Sequence, residues 1–215
     1  MTPSYTVIGT PFSTFTRTVA SALTFKGIHF EQKSTPPHSD LAREHNPFGL
    51  IPTLVITEDD GSSFLRESQA IARYLDRIAP SPSLVQVDLK LPERLWELVS
   101  IIASTGFKAI EVQVVKPRVK SIDEGHQPAK HSGGARDLRN FFDTLNELRQ
   151  DRGPFLLGSQ PSWADLFLYP LVADLLATPD ADLAPPSILS WAESMKTVKG
   201  IKETYSGTLA AGGRP

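Results

Sequence analysis

Val7-Ile8-Gly9-Thr10-Pro11-Phe12-Ser13-Thr14-Phe15-Thr16-Arg17-Thr18-Val19 is the stretch that decides the fold. It reads as a short apolar strand, a Gly/Pro turn and a helix that opens at a Ser-Thr pair. The first N–H groups of a helix have no intrahelical partner, and the helix dipole favours negative charge there. A serine hydroxyl at that point adds a further donor. The pattern is a site for an anion, and a thiolate is one anion that an enzyme binds in this way.

Working outward, Tyr5 to Ile8 is read as a strand and Thr14 to Lys26 as a helix stopped by Gly27. Ile28 to Gln32 returns as a strand, and Ser34 to His45 is a polar connection with one helical turn. Thr53-Leu54-Val55-Ile56 is the best β run, and the turn Asp59-Asp60-Gly61 folds Ser63-Phe64-Leu65 back as a hairpin. Ser68 opens a helix to Ile78. Beyond Ala79-Pro80-Ser81-Pro82-Ser83 the β signal fades, and helical spacing takes over from Leu95 towards Lys116 before Pro117. Residues 121–135 read as a mobile loop. Helices follow at Leu138–Leu148, from Trp163 to Leu175, near Ile188–Met195 and at Val198–Tyr205, with Gly207 to Pro215 expected to fray.

Hydrophobic residues make up 40% and charged residues 21% of the 215, as in an ordinary globular protein. The net charge of −2 gives no reason to expect nucleic acid or an anionic membrane as partner. No apolar run approaches the roughly 18 residues of a membrane span, and the polar start after Met1 lacks a signal-peptide core. A cytoplasmic location is the expectation. The chain has no cysteine, which excludes disulfides, thiolate metal sites and a cysteine nucleophile of its own. Its five histidines show no metal-ligand spacing, so no metal is expected. Any sulfur chemistry must arrive with a ligand.

With Asn46-Pro47-Phe48-Gly49, Ile51-Pro52 and Glu67-Ser68 added, the opening stretch resembles the glutathione transferase family, and within it the serine-type, phi-like branch. The resemblance covers nearly the whole chain. The order βαβ then αββα implies an α/β thioredoxin-like N-terminal domain over 1–79. A linker over 80–91 and an all-α C-terminal domain over 92–215 follow.

The resemblance implies roles residue by residue. Ser13, in the pattern Ser-Thr-x-Thr-Arg, would be catalytic, donating to the thiolate of glutathione, with Thr14 an alternative donor and Thr10 a third. The local reading of Ser13 is a helix N-cap. Ile51-Pro52 would be a cis peptide whose Ile51 backbone pairs with the cysteinyl part of the tripeptide. Glu67 would take the γ-glutamyl amine, and Ser68, read as an N-cap, its carboxylate. His38 lies near the place of a histidine that meets the glycyl end. Leu50 departs from the Gln or Lys often found there and cannot bond the peptide.

An apolar acceptor would lie against Phe12 and Phe15, with Trp96 or Phe107 from the long helix. Phe48, on a loop tip, would insert into a second copy, making a homodimer. Ser162-x-x-Asp165 is a capping box with a folding role. The expected activity is conjugation of glutathione to apolar electrophiles or reduction of organic hydroperoxides. A carrier of hydrophobic ligands on the same fold is the alternative.

Overall fold

The computed structural model describes residues 3–85, 89–126, 134–149 and 153–214. The chain divides into two compact units, Met1–Ser83 with Val198–Pro215, and Leu84–Thr197. A four-stranded sheet is the frame of the first. Its strands are β1 (Ser4–Ile8), β2 (Glu31–Lys33), β3 (Thr53–Glu58) and β4 (Gly61–Leu65), in the order β2-β1-β3-β4. β1 runs parallel to β2 and antiparallel to β3, and β3 pairs antiparallel with β4. A parallel pair needs a crossover, and α1 (Thr14–Phe25) supplies it. Thr53 to Ile56 are buried throughout, as a central strand requires, whereas β4 is an edge that leaves Phe64 43% exposed.

α2 (Asp40–His45) and α3 (Ser68–Ile78) complete this α/β layer. α3 buries Ile71, Ala72 and Leu75, one face of a helix, and packs on α1. Lys26, at the end of α1, is fully buried. Its ammonium donates to the carbonyls of Ala79 (2.8 Å) and Pro82 (3.2 Å) and lies 3.1 Å from the Asp76 carboxylate. A buried cation is tolerable because it is paired and hydrogen-bonded.

The second unit is helical. Its long helix spans Arg94–Asp123 without a break: α4 (Arg94–Ile101), π-wound turns over Ile102–Gly106 and Lys108–Val115, then α5 (Lys116–Asp123). The sequence reading that ended it before Pro117 is corrected. Proline has no N–H to give, and it sits at the first turn of α5, where bonding changes from five residues back to four. By length and composition this helix is apolar enough to cross a membrane, contrary to the reading of the sequence, but half of that apolar window is buried within the fold. It packs on α6 (Ala135–Leu148) and α7 (Trp163–Leu176). α7 is buried almost all round, as a core helix should be, and α8 (Pro186–Met195) lies against it. Arg118 forks onto Asp180 through Nε (2.6 Å) and a terminal nitrogen (2.9 Å), both side chains buried.

The capping box of α7 does more than cap. Asp165 is fully buried and accepts from Ser162 N–H (2.8 Å), Ser162 Oγ (2.6 Å), Leu156 N–H (2.8 Å) and the Trp191 indole (2.8 Å). It thereby ties the approach to α7 and α8 together.

The C-terminal segment departs from expectation. Val198–Tyr205 forms turns, not a helix, and Leu209–Ala211 beyond it form a short 3-10 turn. The segment packs with the first unit rather than the helical one. Thr204 Oγ1 meets Ser21 Oγ at 2.8 Å, Thr208 and Leu209 are buried, and Gly207 sits close to the ring of Pro11. The loop read over 121–135 lies outside the described residues between 127 and 133, while 121–123 continue α5.

Candidate active site

The strand register gathers the candidate residues at one edge of the sheet. β1 ends at Ile8, opposite Thr53 at the start of β3, and β2 ends at Lys33 beside Ile8. β4 ends at Leu65, opposite Leu54. The segments that follow β1, β2 and β4, and the one that leads into β3, therefore all leave from the same side. They carry Ser13, His38, Glu67-Ser68 and Ile51-Pro52 in turn.

At the turn after β1, Gly9 is pinned from both sides: its N–H donates to Lys33 O (3.0 Å) and its carbonyl accepts from Gln32 Nε2 (2.8 Å). Its φ of 151° and the lack of room at its α-carbon both call for glycine. A Cβ there would stand 2.5 Å from Thr16 Oγ1 and 3.3 Å from Ile51 Cβ, so α1 and the Ile51-Pro52 turn meet at this point. The Ile51–Pro52 peptide is cis, as the resemblance implied.

Ser13 is the N-cap of α1, and its Oγ accepts from Thr16 N–H at 3.4 Å. The capping and catalytic readings do not compete, because an accepting hydroxyl keeps its own proton for another acceptor. The N–H of Phe12 is held by Thr10 Oγ1 (3.2 Å) and that of Ser13 by Thr10 O (3.0 Å). Thr10 is thus a shaper of the turn. Thr14 N–H, the first inside the helix, has no acceptor among the described residues, so it and the Ser13 hydroxyl are the donors at this helix end. Arg17 is buried one turn along.

α3 begins differently from the sequence reading. Glu67, not Ser68, occupies the N-cap position, with φ 63° and ψ 113°, and Ser68 is the first helical residue. Among the described residues the Glu67 carboxylate has no partner. Left-handed backbone is costly for a residue with a Cβ, about 1–3 kcal/mol, and such strain collects at functional sites. Among the described residues the two non-glycine residues with positive φ are Glu67 and His38, and both lie on this edge. His38 is exposed, and its N–H donates to Gly49 O at 2.7 Å, joining the loop after β2 to the 46–51 turn.

Asn46 builds that turn. Its Oδ1 accepts from Phe48 N–H (3.1 Å) and its Nδ2 donates to Leu50 O (3.0 Å). Phe48 is left 71% exposed and Leu50 46%. Phe12 and Phe15 are half-buried beside Ser13. Trp96 and Phe107 are half-buried on the long helix of the second unit.

Sequence reasoning gave no structural role to Thr16, Gln32 or Asn46, although Thr16 and Asn46 stand in the motifs it quoted. Asn46 was the legible one, since an Asn side-chain oxygen that accepts from the N–H two residues on is a known turn former. Thr16 and Gln32 act on Gly9 through the fold and leave no local signal.

The arrangement offers two helix N-termini, a hydroxyl with an uncommitted proton and a free carboxylate along one edge. It suits a ligand with two carboxylates, an amine and an ionisable thiol. Comparison with known proteins agrees. Residues 7–83 match the family described as "Glutathione S-transferase, N-terminal domain", and residues 122–194 its "C-terminal domain". "Probable maleylacetoacetate isomerase 1" of Drosophila melanogaster is 29% identical over 199 residues, covering 88% of this chain and 76% of that one. The crystal structure of glutathione transferase F7 from Populus trichocarpa superposes with a TM-score of 0.75 at 23% identity, covering 93% of this chain and 97% of the other. A maleylacetoacetate isomerase from Anaeromyxobacter dehalogenans, with bound dicarboxyethyl glutathione and citrate in its active site, gives 0.69 at 20% identity, covering 94% and 90%.

Proposed function

We infer that this chain, which belongs to the glutathione S-transferase family, is a serine-type enzyme of that family, in which Ser13 holds the glutathione thiol as its thiolate. The observation that carries the reading is the Ser13 hydroxyl, which accepts from Thr16 N–H and so keeps its proton to donate. A free thiol has a pKa of about 8.5, so few molecules are thiolate at neutral pH. A donated hydrogen bond and the positive end of α1 both favour the charged form. Lowering the pKa by ~2 units corresponds to about 2.7 kcal/mol, within reach of one charge-assisted hydrogen bond and local dipoles.

Ile51 would pair through its backbone with the cysteinyl segment. The N-terminus of α3 would take the γ-glutamyl carboxylate and Glu67 the amine. His38 would face the glycyl end. Leu50 supplies no side-chain bond to the peptide, so binding rests on the helix ends, the Ile51 backbone, Glu67 and His38. The acceptor, an apolar electrophile or an organic hydroperoxide, would use Phe12 and Phe15, half-buried at the turn that carries Ser13. The thiolate attacks the electrophilic carbon, a C–S bond forms, and the leaving group departs with its electron pair. Phe48 would seat in a second copy.

The names of the relatives favour a second reaction at the same site, isomerisation of an unsaturated acid. Here the thiolate adds to an activated C=C, rotation occurs about the resulting single bond, and expulsion of the thiolate restores the double bond. Glutathione is regenerated, and the same Ser13 proton serves both steps.

The test is conjugation of glutathione to a chlorinated nitrobenzene by the native protein and by Ser13→Ala. The reading predicts turnover that falls about a hundredfold in kcat with glutathione KM little changed. Activity unchanged in Ser13→Ala moves the role to Thr14. Glutathione binding without turnover of this acceptor or of a maleyl acid supports the carrier alternative instead.

A further inference from the structure

Residues 198–213 fold onto the helix that carries Ser13 at its head, within the same compact unit. They grip it at two places. The first is Ser21, about 12 Å along α1 from Ser13. There the Thr204 hydroxyl donates to Gly200 O (2.6 Å) and so accepts from the Ser21 hydroxyl, 2.8 Å away. The Gly200 backbone comes so near that a Cβ would collide with Ser21 O. The second place is Pro11, in the turn before α1. Gly207, at φ 77°, rests on its ring, and a Cβ there would stand 3.1 Å from Pro11 Cβ and 3.3 Å from Cγ. The segment is also tied to itself. The Tyr205 hydroxyl donates to Ala210 O (2.7 Å), Thr208 Oγ1 to Tyr205 O (2.8 Å) and Gly213 N–H to Thr208 O (2.8 Å). With Thr208 and Leu209 buried, these ties make a firm body that can bear on Pro11.

We propose that residues 198–213 are a positioning clasp for the glutathione thiol, in which Gly207 on Pro11 and Thr204 on Ser21 fix the Thr10–Ser13 turn against α1. The inference rests on the serine-type reading above and deepens it. Pro11 stands two residues before Ser13 and has no N–H with which to anchor the corner of the turn. Phe12 and Ser13 N–H bond back to Thr10, which stiffens the turn from within. Gly207 backs it from outside. A hydrogen bond weakens steeply as its angle opens, and a site must hold its donors to within about 0.5 Å. A shifted corner therefore costs Ser13 its aim at the thiolate, while Ile51, Glu67 and Ser68 keep their places on other segments. Gly207 and Thr204 are positioning residues, because they act through Pro11 and α1.

The experiment titrates the thiolate absorbance of glutathione bound to the native protein, Gly207→Ala, Thr204→Val and Gly212→Ala. Gly207→Ala presses a methyl group against a rigid ring, and Thr204→Val releases the other grip. Gly212, at φ 83° with open space where its Cβ would be, carries similar backbone strain without touching the turn. The bound thiol is expected to titrate about half a unit higher in Gly207→Ala and Thr204→Val, about threefold in the ratio of thiolate to thiol. Gly212→Ala loses stability but keeps the native value. Conjugation follows the thiolate: kcat falls about two- to threefold near pH ~6 with glutathione KM unchanged, and the deficit closes above pH ~8.5. A thiol pKa unchanged in either clasp variant, or raised as much in Gly212→Ala, overturns the proposal and leaves the Ser13 reading standing. A native complex that titrates near the free thiol value of about 8.5 overturns that reading and the proposal with it.

Discussion

The N–H of Thr16 reaches Ser13 Oγ at 3.4 Å, a long contact that makes the serine an acceptor at the head of α1 and leaves its own proton uncommitted. Thr16 is also what fills the space at Gly9, so one residue sets both the cap and the turn before it.

Gly9→Ala puts a methyl group 2.5 Å from Thr16 Oγ1, on backbone at φ 151°. The expected loss is about 2–3 kcal/mol in urea unfolding. Adding Thr16→Ala removes the clash but not the backbone strain, so the double variant should recover part of the loss, less than all of it.

Asp165→Ala strands the N–H groups of Leu156 and Ser162 and the Trp191 indole inside the helical unit. A loss of about 4 kcal/mol is expected, read as a lower denaturant midpoint.

The pH dependence of stability isolates the same group. Burial raises the Asp165 pKa above the ordinary carboxylate value, against hydrogen bonds from Ser162, Leu156 and Trp191. Over the pH range between the ordinary value and the raised one, the folded state therefore binds more proton than the unfolded chain. Its contribution is full below the ordinary pKa and is lost as pH rises through the raised one. Unfolding free energies of the native protein should carry that decline, and those of Asp165→Asn should lack it.

Phe48→Ser removes an aromatic that is 71% exposed on its turn. If Phe48 seats in a second copy, sedimentation should shift from dimer to monomer with helical content unchanged, since buried aromatic anchors dominate such interfaces. A dimer that persists would place the interface elsewhere.

Much of the sheet and its edge was legible because the signals are local. Gly9-Thr10-Pro11 marks the turn, Ser13 the cap, Asp59-Asp60-Gly61 the hairpin, and Leu138 to Leu148 a helix at plain 3.6 spacing. What escaped depends on contacts distant in sequence or on backbone angles. The segment after Val198 has little apolar periodicity, and its order comes from Thr204 on Ser21 and Gly207 on Pro11. Nothing in the letters Glu-Ser reveals that Glu67 takes φ 63° and displaces Ser68 from the cap. The π winding was hidden as well, because Phe107 and Lys116 look unrelated until the turn widens.

The central claim concerns the sulfur of bound glutathione, and its thiolate absorbance titrated with pH in the binary complex measures it directly. The account predicts a pKa near 6.5 in the native complex, about 2 units below the free thiol, and a return to within about half a unit of 8.5 in Ser13→Ala. A bound thiol that titrates at the same pH in both proteins would contradict it.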